Sequence, residues 1–269
     1  KFPPRLACGF HSTSRYPSSL LPRQLEGIIF DMDGTLVKHC IDFDDMRKRI
    51  YSIAADEGLL SREDVESTNN GDLLEYIDRL SSQGQQRATD VLDEIQAKAI
   101  VDMEFMDGLV DLLHHVDKKG IRRAILTRNV EKSANEMYKK LIVHAQEQTS
   151  GPGPTLTPFF PVIGRDSKNS HGETIHPKPS PDGIQFVCDH WKCDVSKVVM
   201  VGDSAADDIV AANRAGCGAS ILLLSDQDNS SGGEDRLDKQ QQQPTLSISS
   251  LSELKVMLED RDFRLQTAL

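Results

Sequence analysis

The stretch "GIIFDMDGTLV", Gly27 to Val37, begins with a short apolar run and follows it at once with two aspartates one residue apart and a glycine turn. An apolar run bounded by a turn signal reads as a buried strand. Carboxylates at the end of such a strand repel one another, and each prefers water. An Asp-Gly pair after a strand can be a turn and nothing more, so the meaning of Asp31 and Asp33 depends on what else the chain brings to that strand end.

Working outward, the sequence loses its strand character after Leu36. From about Asp42 to Asp102, segments such as "FDDMRKRIYSIAADEGLL", "GDLLEYIDRLSS" and "ATDVLDEIQAKAIVDM" carry apolar residues at helical spacing, which predicts a small all-helical module. From Met106 onward short apolar strands alternate with helices. They run through "DGLVDLLHHVDKKG", "IRRAILT", "VEKSANEMYKKLIVHAQ", "FFPVIG", "SPDGIQFVCDHW", "KVVMVGD", "AADDIVAANRAG" and "ASILLLS". That alternation predicts an α/β fold, a Rossmann-like parallel sheet with helices on both faces. In such a sheet ligands bind outside the carboxyl ends of the strands. The expected divisions are an N-terminal segment over 1–25, an α/β core over 26–40 and 104–269, the helical module over 41–103, and a low-complexity loop over 226–244 containing a glutamine run, read as disordered.

Composition excludes several classes. With 38% hydrophobic and 27% charged residues among 269, the chain can bury one substantial core. No apolar run is long enough to span a bilayer, so no membrane association is expected. A formal charge of −11 argues against nucleic acid as a partner. The five cysteines are scattered without a C-x-x-C pair and suggest neither a zinc site nor a disulfide framework. Residues 1–24 contain no acid, while Lys1, Arg5, Arg15 and Arg23 alternate with Ser, Thr and apolar residues. This is the makeup of an organellar presequence, and "ACGFHSTSRY" resembles a mitochondrial cleavage region. The expected location is mitochondrial, with plastid or cytoplasm as alternatives.

Three further places bear on the opening aspartates. Thr127, Arg128 and Asn129 follow the strand "AILT"; Lys178 lies in "HPKPSPD"; and "GDSAADD" follows "VVMV", with Asp203 and Asp207 one helical turn apart. Each has a plain alternative. Thr127 or Asn129 can cap a helix, Lys178 can be solvated, and Ser204 with Asp207 can be a capping pair. Neighbouring strand ends in one parallel sheet share a face, so these groups can meet.

In this order the pieces "DMDGTLV", "ILTRN", "KPSPDGI" and "VGDSAADDIVAANRAG" resemble the four motifs of the haloacid dehalogenase superfamily, in its phosphatase branch with a helical cap between the first two motifs, as in phosphoglycolate phosphatase and β-phosphoglucomutase. The resemblance implies a Mg²⁺-dependent phosphatase acting on a small phosphate ester through an aspartyl phosphate. It implies Asp31 as nucleophile and Asp33 as general acid and base. A Mg²⁺ ion is implied on the Asp31 side chain, the Asp33 backbone carbonyl and the Asp203 side chain, with Asp207 orienting its shell or serving the helix. Thr127, Lys178, Gly34 and Asn129 are implied at the phosphoryl group. Asp33 points away from halide chemistry, since the true dehalogenases carry an aromatic residue there. A sugar phosphomutase with the same chemistry and a non-catalytic binding protein are the alternatives, and a monomer or homodimer is expected. Among the helical module's charges, Arg47, Lys48, Arg49, Arg62, Arg79 and Arg87 are candidate anion contacts or solvated faces, and His114 and His115 are placed on an outer helix face.

Overall fold

Strand β1, Gly27–Phe30, is buried at every position and lies inside a sheet, with a parallel neighbour on each side. The computed structural model describes residues 18–38, 43–66, 73–148, 155–224 and 240–259. Five further strands complete the sheet: β2 (Arg122–Leu126), β3 (Val162–Ile163), β4 (Val198–Gly202), β5 (Ala219–Leu223) and β6 (Leu246–Ile248). They lie in the order β3-β2-β1-β4-β5-β6, and every pairing is parallel. The chain builds outward from β1 in one direction as far as β3, then returns to β1's other side with β4. This is the reversal at which doubly wound sheets open a crevice. Phe30 is in register with Ile125 on β2 and Val201 on β4, so the three strands end within one residue of one another.

The chain divides into two compact units, Val37–Glu104 and the remainder. In the α/β unit, α4 (Leu109–Lys118), α5 (Glu131–Gln148), α6 (Asp182–Trp191), α7 (Val210–Ala215) and α8 (Leu251–Glu259) cover the sheet. Alternate strand residues supply its two faces. Ile29, Ala124, Leu126, Val198 and Met200 pack with Ile184, Val187, Ala211 and Ala212 from α6 and α7. On the opposite face Phe30 meets Phe159 edge to face, and Phe159 in turn meets Tyr138 of α5. Arg123 is buried there, with Asp117 at 3.2 Å and its guanidinium over the Phe159 ring, so its charge is paired and sheltered.

The helical unit holds α1 (Phe43–Asp56), α2 (Leu73–Arg79) and α3 (Ser82–Val101). Ile50, Ile53, Ala54, Leu80 and Ala88 form its core, and Tyr51 stacks edge-on against Tyr76. Ser81 caps α3 by accepting from Gly84 N–H at 3.1 Å, while Glu57 accepts from the Ser81 N–H at 2.7 Å and ties the two helices together. Arg47, Arg49, Arg62 and Arg87 pair with Asp44, Glu94, Asp56 and Asp56 of the same unit, which favours the solvated-face reading for those four. The chain leaves and rejoins the α/β unit at hydrogen-bonded neighbours. Met106 N–H donates to the Leu36 carbonyl at 3.0 Å, and Lys38 N–H donates to the Glu104 carbonyl at 2.8 Å.

Several expectations shift at their edges. Residues 1–17 of the expected presequence lie outside the described residues, but Leu21 and Leu25 are buried, at 3% and 7% exposure, so the folded unit begins before residue 26. The low-complexity loop falls outside the described residues from 225 to 239. Its last residues are anchored: Asn213 Nδ2 on α7 donates to the carbonyls of Gln241 and Gln243 at 2.8 and 2.9 Å.

His115 departs from its expected outer face, because its side chain is turned into the seam between α4 and α8, 3.9 Å from Glu259. Among the described residues its buried Nε2 has no hydrogen-bond partner. Burial pushes this imidazole below its ordinary value; Glu259 opposes the shift, and Lys119 and Lys255 add to it. The folded protein therefore resists taking the proton that the unfolded chain accepts, so stability present above about pH 6.5 is lost as pH falls. His115→Leu should show a smaller drop in melting temperature than the wild type between about pH 7.5 and about pH 5.5. Equal drops would place the acid sensitivity elsewhere.

Candidate active site

The carboxyl ends of β1, β2 and β4 bring most of the expected residues together. Asp31 continues β1 by one step, its N–H donating to the Val201 carbonyl of β4 at 2.9 Å, and its side chain is buried. Met32 turns into the core, and the Leu36 N–H closes back on its carbonyl at 2.8 Å. Gly34 sits inside that turn with φ 81°, a left-handed conformation that favours glycine and lets the backbone curl under the strand end.

Lys178 arrives on the loop before α6 and is only 4% exposed. Its Nζ donates to Asp31 Oδ1 and, at 2.6 Å, to Asp208 Oδ1. Asp208 Oδ2 accepts from Ser204 N–H at 3.0 Å. Burial pushes the Asp31 and Asp208 carboxyls above the ordinary range, with Lys178 pulling both the other way. Burial also works against the Lys178 ammonium, but Asp208 and Asp31 outweigh it and hold that group above its usual range. The three groups bear one positive charge against two negative ones.

Thr127 at the end of β2 is buried, and its Oγ1 accepts from Asn129 N–H at 3.0 Å, which leaves the hydroxyl proton available to donate. The Asn129 amide makes a contact that was not expected: Nδ2 donates to Asp33 Oδ2 at 3.0 Å and so orients that carboxylate.

Asp207 stands apart from the expected metal set. Its carboxylate pairs with Arg128 at 2.9 Å, and the carboxylate that converges with Asp31 and Asp203 is Asp208. The cause is local. Ala205–Ile209 forms one π-helical turn, with Ile209 N–H reaching back five residues to the Ser204 carbonyl at 3.2 Å, and α7 follows directly. One extra residue is accommodated in that turn, so the fifth residue after Asp203 faces inward where an α-turn would present the fourth. Gly202 makes room for it: a Cβ there would lie 2.2 Å from the Asp208 carboxyl. Periodicity could not separate the two acids, since Asp207 precedes buried Val210 and Ala211 at helical spacing and Asp208 precedes buried Ala211 and Ala212.

Oxygens of Asp31, Asp203 and Asp208 lie within 4.8 Å of one another. An all-oxygen set with surplus negative charge suits a small hard divalent cation, which would relieve the repulsion that Lys178 only partly offsets.

A sequence profile of the haloacid dehalogenase-like hydrolases matches residues 25–216, which takes in every residue of this constellation. The chain belongs to that family. A haloacid dehalogenase-like hydrolase domain-containing protein of Arabidopsis thaliana is 30% identical over 236 residues, covering 88% of this chain and 84% of its own. Among solved structures, a predicted phosphoglycolate phosphatase from Haemophilus somnus superposes with TM-score 0.56 at 20% identity, covering 86% of this chain and 96% of its own. A haloacid dehalogenase-like hydrolase of Bacillus subtilis bound to magnesium superposes with TM-score 0.50 at 17% identity, covering 87% and 99%. At those identities the structural likeness concerns the shared hydrolase fold.

Proposed function

We propose that this haloacid dehalogenase-like hydrolase is a Mg²⁺-dependent phosphatase of a small phosphorylated metabolite, working through an aspartyl phosphate on Asp31. The observation that carries this reading is the buried Asp31 carboxylate held by Lys178 at a strand end, with Asp33 two residues on and oriented by Asn129. With Oδ1 engaged by Lys178, Oδ2 attacks phosphorus, and the ester oxygen leaves as an alcohol on taking a proton from Asp33. Asp33 then removes a proton from the water that attacks the aspartyl phosphate, releasing inorganic phosphate and restoring Asp31. The Thr127 hydroxyl donates to a phosphoryl oxygen, Lys178 offsets charge on the phosphoryl group, and the turn at Gly34 lets backbone approach it.

Asp31, Asp203 and Asp208, with the Asp33 carbonyl, would hold the Mg²⁺. The ion supplies charge neutralisation for a dianionic substrate that otherwise repels a carboxylate. The magnesium-bound Bacillus relative supports this choice of metal. The helical unit Val37–Glu104 is assigned as the cap that selects the leaving group.

The test is phosphate release from a panel of phosphorylated metabolites, including phosphoglycolate and hexose phosphates, with Mg²⁺ and after its removal by chelation. Release from at least one ester, abolished by chelation and restored by Mg²⁺, is expected. Isomerisation of a hexose 1-phosphate without phosphate release would make the protein a mutase, and no turnover of any ester would make it a binding protein.

A further inference from the structure

The Arg128–Asp207 bridge is unusual for a surface ion pair in what it joins. Arg128 follows β2 and Asp207 follows β4, the two strands that flank β1. The side chains are 59% and 23% exposed, so the pair adds little to global stability. Its place in the π-turn suggests a different use. Asp207 and Asp208 are adjacent carboxylates drawn to two cations in different places: Asp207 to Arg128, Asp208 to Lys178 at 2.6 Å. The turn is held by the Ser204 carbonyl accepting from Asp208 N–H at 2.9 Å and Ile209 N–H at 3.2 Å, by Ser204 Oγ accepting from Asp207 N–H at 3.1 Å, and by Asp208 Oδ2 accepting from Ser204 N–H at 3.0 Å. The five-residue bond sets the wide register, and only the bond to the Asp208 carboxylate is made by the side chain of one of the two acids. A wide turn of this kind is an uncommon and poorer arrangement than an α-turn, so its side-chain partners have weight in deciding its register.

We infer that Arg128 is a positioning residue that pins Asp207 outward, so that Asp208 alone joins Asp31 and Asp203. Without the guanidinium, Asp207 is a carboxylate deprived of its cation and next in sequence to the acid that holds Lys178 and joins the candidate cation site, and it competes with that neighbour for both. This rests on the phosphatase reading only for its kinetic readout.

The experiment is a double-mutant cycle on Arg128→Ala and Asp207→Ala, with Arg128→Lys as the conservative variant. Turnover is read with p-nitrophenyl phosphate and Mg²⁺. Arg128→Ala should lower kcat/KM by about tenfold, Asp207→Ala should stay within about threefold of wild type, and the double variant should return to within about threefold. Arg128→Lys should retain most activity. A double variant as impaired as Arg128→Ala would overturn the inference and make Arg128 a direct substrate contact. Wild-type activity in Arg128→Ala would overturn it too. A second cycle needs neither metal nor turnover. In metal-free protein, Asp208→Ala, which removes an acceptor from both Lys178 and Ser204 N–H, should lower the melting temperature less in the Arg128→Ala background than in the wild type, because a released Asp207 can take its place beside Lys178. Equal losses in the two backgrounds sink the pin even if no phosphate ester proves to be a substrate.

Discussion

Replacing Asp31 with asparagine should abolish phosphate release while leaving the fold as stable as before, or more so. The amide keeps the volume and can still accept from Lys178, but it cannot attack phosphorus, so a loss on the order of 10³-fold or more is expected. The stability half follows from the sign of the pKa shift. Burial raises the Asp31 carboxyl in the folded state. An acid so shifted contributes its full stability below its unfolded pKa and loses it as pH rises through the folded value. Near neutral pH its anion is therefore a burden that asparagine removes. Melting temperatures of metal-free wild type and variant, alongside phosphate release, check both halves. Wild-type turnover would remove Asp31 as the nucleophile, and a markedly lower melting temperature would mean that the bond to Lys178 outweighs burial.

Lys178→Met should be the most damaging change to the fold itself. It leaves the buried Asp31 and Asp208 without the ammonium they share, and breaking a buried pair from one side costs about 3–5 kcal/mol. For a chain of this size that corresponds to about a 10 °C fall in melting temperature. Turnover should go with it, since charge on the phosphoryl group is no longer offset. The pH dependence carries the diagnosis. Both carboxyls are already raised by burial, and without Lys178 pulling them down they rise further. The variant should regain stability as pH falls from neutral toward about pH 4, where protonation neutralises them. A deficit that stays constant across that range would point to lost packing by the lysine's methylenes.

The parts of the fold legible in the sequence were those governed by local pattern. The buried run before Asp31, the alternation after Met106 and the helical spacing between Asp42 and Asp102 each follow from one period applied over several residues. The candidate site was legible where a residue directly follows a strand, as Asp31, Thr127 and Asp203 do, because strand direction alone sets its height and face. Asp208 escaped because a single π-turn shifts the register by one residue, and two adjacent acids with equally buried helical partners carry no periodic signal to choose between them. Leu21 and Leu25 were hidden inside a basic stretch whose composition matches a presequence. The pairing of Asn129 with Asp33, and of His115 with α8, depends on side chains distant in sequence, which no window over one segment contains.

The hydrogen bonds joining Leu36 to Met106 and Lys38 to Glu104 have a consequence for how such a protein can change. Seen from the sheet, the whole of Val37–Glu104 occupies the place of a hairpin loop, leaving and returning at one point. The entropy of closing a loop grows only slowly with its length, about 0.6 kcal/mol per doubling. The insertion can therefore lengthen, shrink or be exchanged while β1 and β2 keep their register and Asp31 its neighbours. The strand-end constellation and the helical unit can thus be inherited separately, the first fixed by the sheet and the second an interchangeable cassette.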